Sequence, residues 1–253
     1  MKESIIKTDN SVILYDADLS GHDADLQAGD QWFDPQWWQK RGNLIGSPEG
    51  GRGQACFIDR GGEQWVLRHY RRGGMVARLI HDHYLYLGMA RSRAFSEWRV
   101  TAKLFALGLP VPRPVAARVC RRGLIYSCDL ITRRIDTART LSVALTQSAM
   151  AEVHWARLGQ VIALFHRAGL FHADLNAHNI VVSFEDEALR FWLIDFDKAR
   201  FRKPGSWQQA NLDRLLRSLD KLQRLYGLRY TNADWQTLVR SYHACYLSGD
   251  IQP

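Results

Sequence analysis

The feature that most constrains this chain lies between Gly169 and Asp197, where three oxygen-bearing side chains are set into an apolar frame. The run His172-Ala173-Asp174-Leu175-Asn176-Ala177-His178-Asn179 puts a carboxylate five residues ahead of a carboxamide. Before it, Val153, Leu158, Val161, Ile162 and Phe165 recur at helical spacing within Ala149 to Ala168, and Gly169 supplies a stop. After it, Asn179 to Phe184 and Leu189 to Ile194 are β-rich and separated by Glu185-Asp186-Glu187, so they predict a hairpin that ends at a second carboxylate, Asp195. Helix, polar loop and hairpin follow one another with no spare length. The frame holds Asp174, Asn179 and Asp195 at loop positions, where a carboxylate can take a proton and amide or carboxylate oxygens can hold a hard cation.

The rest of the chain divides by character. Ser11 to Tyr15 alternates as a short strand, and Trp32, Phe33, Trp37 and Trp38 predict a helical excursion docked on the core. A glycine-rich turn, Gly46 to Gly53, precedes two β-rich runs, Ala55 to Asp59 and Gln64 to Tyr70, joined by Arg60-Gly61-Gly62. Phe95, Trp98, Ala102 and Phe105 predict a helix over Ser92 to Leu107, stopped by Gly108 and Pro110. Strands near Val115 to Cys120 and Leu124 to Ile131 close a small sheet. Beyond the hairpin, a leucine stripe from Leu212 to Leu225 runs to Gly227, and Asn232 is placed to cap a last helix. The expectation is an α+β chain with a small antiparallel β-rich lobe over residues 1–131 and a mainly helical lobe over 132–253.

Composition narrows the partners. With 34 Lys and Arg against 26 Asp and Glu, the net charge is +8, which favours anionic ligands. Six arginines (68, 71, 72, 78, 91 and 93) face one acid, Asp82, between Arg68 and Arg93, interleaved with Tyr70, Tyr84, Tyr86, Leu85 and Leu87. That mixture suits an anionic membrane surface, with Arg71, Arg72 and Arg78 as the contact patch. No secretory leader is expected at the amino terminus, and no apolar run reaches the roughly 18 or more residues of a spanning helix. Cys56, Cys120, Cys128 and Cys245 form no metal-type spacing and predict reduced, packed thiols in the cytosol.

The interval from Asp174 to Asn179 is that of a kinase catalytic loop, in which the aspartate orients the attacking hydroxyl and the asparagine ligates magnesium. Asp195, at the end of the hairpin that follows this loop, stands where kinases carry their second metal ligand, although Asp197 replaces the usual glycine of that motif. Upstream, Trp65-Val66-Leu67-Arg68 occupies the place of the strand that bears the phosphate-contacting lysine, with Arg68 in its stead and Glu97 on the next helix as its partner. Gly50, Gly51 and Gly53 are the candidate phosphate cover. The stretch from Asp195 to Pro253 is too short for a peptide-binding platform and contains no Ala-Pro-Glu, so a small-molecule, sugar or lipid-linked acceptor is favoured over a protein.

The strings Val66-Leu67-Arg68-His69-Tyr70-Arg71-Arg72-Gly73-Gly74, Gly108-Leu109-Pro110-Val111-Pro112-Arg113-Pro114 and Phe171-His172-Ala173-Asp174-Leu175-Asn176 resemble the lipopolysaccharide kinases of Gram-negative bacteria over nearly the whole chain. The resemblance implies a protein-kinase-like bilobal fold and transfer of phosphate from ATP with Mg2+ to the 4-hydroxyl of a 3-deoxy-D-manno-octulosonic acid (Kdo) residue. The acceptor it implies is Kdo-lipid A at the cytoplasmic face of the inner membrane. Asp174 is then the base, Asn179 and Asp195 the metal ligands, and Arg68 with Glu97 the phosphate-positioning pair. His172 supports the loop, and His178 has no assigned role. No nucleic acid and no obligate protein partner is expected. A sister kinase for core heptose, an antibiotic-type phosphotransferase and a non-catalytic pseudokinase that binds nucleotide or lipid remain open at this stage.

Overall fold

The computed structural model describes residues 1–19, 27–47, 55–70, 83–185 and 188–248. They form two compact units, Met1–Lys103 with Pro112–Arg134, and Leu104–Val111 with Ile135–Pro253.

The first unit is built on an antiparallel sheet of β1 (Glu3–Lys7), β2 (Val12–Asp16), β3 (Leu44–Gly46), β4 (Ala55–Asp59), β5 (Gln64–His69), β6 (Tyr84–Leu85), β7 (Pro114–Arg122) and β8 (Ile125–Arg133). Its order is β1-β2-β7-β8-β5-β4-β3, with β6 paired to β8. Strand alternation sorts neighbouring residues to opposite faces. Ile13, Trp65, Ala116 and Ile131 pack under Trp32, Phe33 and Trp38, whereas Leu14, Ala117, Val119 and Leu130 pack with Phe95 and Trp98. Both faces are covered, which is why β7 opens with an unbroken apolar run, Pro114 to Ala117, rather than an alternating one.

The covering elements form for local reasons. Asp34 caps α1 (Pro35–Lys40) by accepting from the Gln36 N–H at 2.9 Å, with proline just inside the helix. The Trp38 indole then donates to the Trp32 carbonyl at 2.9 Å, and the Trp32 and Trp65 rings meet edge to face at 5.1 Å. Each buried indole removes on the order of 200 Å² from water, about 5 kcal/mol of gross transfer free energy. On the other face, α2 (Arg93–Ala106) ends in a Schellman turn: Gly108 N–H donates to Phe105, Leu109 N–H donates to Leu104, and Gly108 takes φ 71°.

The second unit contains β9 (Arg139–Thr140), α3 (Leu141–Gln147), α4 (Glu152–Arg167), β10 (Leu170–Phe171), β11 (Ile180–Glu185), β12 (Ala188–Leu193), β13 (Arg200–Phe201), α5 (Trp207–Tyr226) and α6 (Asn232–Ser248). The hairpin of β11 and β12 extends to β9, and β10 pairs with β13. α4 and α6 cross closely at Gly159, where a Cβ would lie 2.2 Å from the Leu238 carbonyl oxygen, so only glycine fits there. The cap of α6 is Thr231 rather than Asn232. Its hydroxyl accepts from Asp234 N–H while the Asp234 carboxylate accepts from Thr231 N–H and hydroxyl.

β1, β6 and α3 had no counterpart in the sequence reading. β1 is a half-exposed edge strand of mixed polarity, β6 is two residues long, and α3 is a seven-residue helix capped by Thr140. None carries enough periodic sequence to stand out. The four cysteines are free thiols, and burial raises the Cys128 thiol to about 12. No helix among the described residues is long and apolar enough to cross a membrane.

Candidate active site

The loop from His172 to Asn179 is bracketed by a two-stranded ladder. β10 immediately precedes it, β13 closely follows Asp195, and the two pair through Leu170 with Phe201 and Phe171 with Arg200. Gly169 makes the entry possible: it takes φ 78°, and a Cβ there would meet the Arg202 carbonyl at 2.9 Å. The segments that carry Asp174 and Asp195, separated by a whole hairpin, are thereby drawn to one place.

Within the loop, His172 is the central tie. Its Nδ1 accepts from the Asp174 N–H at 3.2 Å, which leaves Nε2 to carry the proton and donate to the Ile194 carbonyl at 3.0 Å. Burial holds the imidazole pKa below its ordinary value, so the ring is neutral and this single tautomer satisfies both bonds. His172 therefore joins the backbone of Asp174 to the residue before Asp195. A second tie runs from Ile194 N–H to the Asn179 carbonyl at 3.0 Å.

Asn179 is oriented by its own side chain. Its Nδ2 donates to the Asp174 carbonyl at 2.9 Å, which fixes the amide and turns Oδ1 away as the atom able to ligate a cation. Asn176 closes the turn, its Oδ1 accepting from His178 N–H at 2.8 Å and Asn179 N–H at 3.2 Å. Asp195 takes φ 63°, a left-handed conformation that aspartate tolerates better than most residues. Lys198 also has a positive φ but Asp197 does not, so the turn places its left-handed residues on either side of the position where kinases carry glycine. Phe196 is buried against Phe165 and the His172 ring, which pins the turn.

Asn179 and Asp195 offer only oxygen donors, one amide and one carboxylate, and no cluster of three His, Cys, Asp or Glu side chains occurs among the described residues. That set fits magnesium, which keeps most of its coordination for phosphate and water.

In the first unit the expected pair forms. Arg68 Nη2 lies 2.5 Å from Glu97 Oε2, and Glu97 is buried. Tyr70 joins them: its hydroxyl donates to the same carboxylate oxygen, and the Arg68 guanidinium stands 4.7 Å over its ring. Burial first, and the Glu97 charge second, push the Tyr70 phenol well above its ordinary pKa, so it stays a donor. Gly50, Gly51, Gly53, Arg71, Arg72 and Arg78 lie outside the described residues.

α5 supplies a second layer that sequence reasoning missed. Asn211, Arg214 and Ser218 stand at i, i+3 and i+7, on one stripe beside the leucines. Buried Asn211 accepts from His172 N–H at 3.1 Å and donates to the His172 carbonyl at 3.0 Å. Arg214 reaches Asp174 Oδ1 at 3.2 Å, and Ser218 accepts from Ala177 N–H at 3.2 Å. Ser142 of α3 completes the ring, bonding the Ala177 carbonyl through its N–H and His178 Nδ1 through its hydroxyl at 2.8 Å. His178 is thus a loop anchor.

A family model described as lipopolysaccharide kinase (Kdo/WaaP) family matches residues 35–242. The chain belongs to the lipopolysaccharide kinase family. Among its members, a 3-deoxy-D-manno-octulosonic acid kinase of Stenotrophomonas maltophilia (strain R551-3) is 43% identical over 240 residues, covering 94% of this chain and 91% of that one. Another so named, from Xylella fastidiosa (strain M23), is 42% identical over 211 residues, covering 83% and 82%. Of solved structures, WaaP in complex with acyl carrier protein aligns with a TM-score of 0.52 at 18% identity over 83% of each chain. A glucosamine kinase aligns at 0.50 and 13% identity over 96% of this chain and 80% of that one. These likenesses give the lipopolysaccharide kinase chain a protein-kinase-like α+β fold, the fold that the family resemblance implies.

Proposed function

We propose that this protein phosphorylates the 4-hydroxyl of a Kdo residue on Kdo-lipid A, with ATP as donor and Mg2+ as cofactor, in assembly of the lipopolysaccharide inner core. The observation that carries the reading is the Asp174 to Asn179 loop tied through His172 to Asp195, in a chain 43% identical to an enzyme named for this activity. Asp174 is the base: its side chain is 60% exposed and open to an incoming hydroxyl. Asn179 and Asp195 hold the metal, which when bound neutralises phosphate charge. Arg68, fixed by Glu97 and Tyr70, contacts the donor phosphates, its guanidinium doing with two donors what a lysine does as a point charge. Gly50, Gly51 and Gly53 are assigned to cover those phosphates.

Because the acceptor is a lipid, we place the enzyme peripherally on the anionic cytoplasmic face of the inner membrane, with Arg71, Arg72 and Arg78 in its contact patch. Described residues support the peripheral placement. Arg122, Ile125 and Leu85 lie side by side across three strands, and Leu85, Leu87 and Leu124 are each at least 60% exposed. Aliphatic side chains rimmed by arginine match an anionic bilayer.

The test is transfer of labelled γ-phosphate from Mg·ATP to Kdo-lipid A and to a heptose-containing core offered side by side, with Asp174→Ala as control. Label on Kdo-lipid A alone is the expected result. Label on the heptose core alone assigns the sister activity, and ATP binding without transfer to either makes the chain a non-catalytic binder.

A further inference from the structure

Arg214 does not stand alone on α5. Arg217 and Lys221 follow it at i+3 and i+7, all three exposed, on an arc that adjoins the one formed by Asn211 and Ser218. The helix therefore turns one edge to the Asp174 loop and the next, strongly basic, edge to solvent beside it. Over this arc the cations extend about 10 Å along the helix axis from the residue that touches Asp174.

These charges are not neutralised by their own helix. Asp213, at the i−4 position that would ordinarily pair with Arg217, accepts instead from Gln209 at 2.8 Å. Asp220 is taken by the Tyr230 hydroxyl. Among the described residues neither Arg217 nor Lys221 has a carboxylate within ion-pair distance, and Arg214 spends one of its donors on Asp174 while its side chain stays 47% exposed. A row of unneutralised cations leading away from a catalytic carboxylate is poor design for a solvated helix face, because like charges at this spacing repel. It is good design for an anionic ligand whose hydroxyl sits at that carboxylate.

We propose that Arg214, Arg217 and Lys221 form an acceptor subsite that reads the carboxylate of the sugar acid. The proposal rests on the reading of the acceptor as a Kdo residue. In that sugar the carboxyl group and the 4-hydroxyl are 1,3-related on one ring, so a hydroxyl placed at Asp174 brings the carboxylate within reach of an arginine on the adjoining helix turn. A guanidinium fork matches a carboxylate with two parallel bonds, which ties recognition of the acid to orientation of the hydroxyl. Arg214 serves both ends, positioning Asp174 and facing the acceptor.

The experiment compares wild type, Arg217→Gln, Arg217→Lys and Arg217→Gln/Lys221→Gln on three acceptors: Kdo-lipid A, its Kdo carboxamide and a form with dephosphorylated lipid A. Wild type is expected to lose roughly 10- to 100-fold in kcat/KM on the carboxamide, the effect of removing a charged hydrogen-bond partner. The glutamine variants should show a similar loss on Kdo-lipid A, carried in KM for the acceptor with KM for ATP unchanged. They should lose little more on the carboxamide, and Arg217→Lys should restore part of the loss. Arg214→Gln should lower kcat as well, because it also releases Asp174. Glutamine variants that keep the wild-type acceptor KM, or keep full discrimination against the carboxamide, overturn the proposal. Discrimination lost against the dephosphorylated acceptor instead moves the anion to lipid A and overturns the carboxylate assignment. Wild type that labels no Kdo acceptor overturns the function reading itself, a result distinct from normal transfer with indifferent variants.

Discussion

Arg68 in the first unit and the Asp174 loop in the second are held in place by opposite means. Arg68 is fixed by charge, through a buried carboxylate that also takes a phenol. The backbone of the Asp174 loop is fixed by neutral groups, the imidazole of His172, the amides of Asn176 and Asn211 and the hydroxyls of Ser142 and Ser218, while Arg214 touches only the Asp174 side chain. In the proposed role of contacting donor phosphates, Arg68 needs a counter-charge to stay ordered when no nucleotide is bound. A loop proposed to present a reactive carboxylate and a metal ligand is better anchored, along its backbone, by groups that add no competing charge. The first design fails when one partner is removed, the second when a neutral member acquires a proton.

The largest effect separates chemistry from anchoring. Asp174→Ala should lower the transfer rate by about 10² to 10⁴ while leaving the melting temperature nearly unchanged, since an exposed base contributes to reaction and little to packing. A variant that melted far below wild type would show Asp174 to be part of the anchor. Next comes the charged anchor. Arg68→Met should cost about 3 kcal/mol in denaturant unfolding, toward the low end for orphaning a buried charge, because a quarter of the Arg68 side chain is exposed and Tyr70 still donates to Glu97. Arg68→Lys, which keeps the charge, should recover most of that stability. If Arg68→Met unfolds like wild type, the pair is not a charged anchor and the contrast with the loop disappears.

The neutral anchor should show itself in acid. His166, on α4, is hydrogen-bonded to the Tyr242 hydroxyl at 2.9 Å and to the anchoring Asn211; burial lowers its pKa to about 4 and holds His172 below its ordinary value. A histidine with a depressed folded pKa binds its proton more readily when unfolded, so its stabilising contribution is complete above about 6.5 and is lost as pH falls. Stability should therefore decline between pH 6.5 and about 4, by roughly 3 kcal/mol from His166 alone. Urea titrations across that range check this, and a His166→Gln variant should have the flatter profile. An unfolding free energy that stays level from pH 6.5 to 4 would contradict the assignment of neutral, buried imidazoles.

The two anchors also differed in how far they could be read from sequence. Arg68 and Glu97 were legible because each sits on a strongly patterned element, the strand Trp65-Val66-Leu67 and the helix of Phe95 and Trp98, and the pairing follows from that order. Asp174 and Asn179 were legible as candidates because they lie five residues apart in one polar loop, and Asp195 because it ends a strongly apolar strand. Asn211, Arg214 and Ser218 lie beyond the whole β11–β12 hairpin and β13 from the loop they hold, inside a helix whose leucines dominate its pattern. The signal was there as a polar i, i+3, i+7 stripe flanking the apolar one, but nothing local says what a polar stripe faces. The β10 to β13 ladder was hidden for a related reason: two residues per strand leave no periodicity to detect.

The smallest expected effect is the sharpest test of the neutral anchor. Asn211→Ala removes one acceptor and one donor from the buried backbone of His172, at a cost of about 2 kcal/mol. Asn211→Asp is nearly the same size and can still accept from the His172 N–H, but it cannot donate to the His172 carbonyl and brings a negative charge into a site that is 1% exposed. If neutrality is what the site requires, Asn211→Asp is at least as destabilising as Asn211→Ala near pH 7, and the gap narrows as the new carboxyl protonates in acid. If the aspartate variant is instead the more stable of the two at pH 7, the loop tolerates buried charge. The distinction between a charged and a neutral anchor would then be one of composition only.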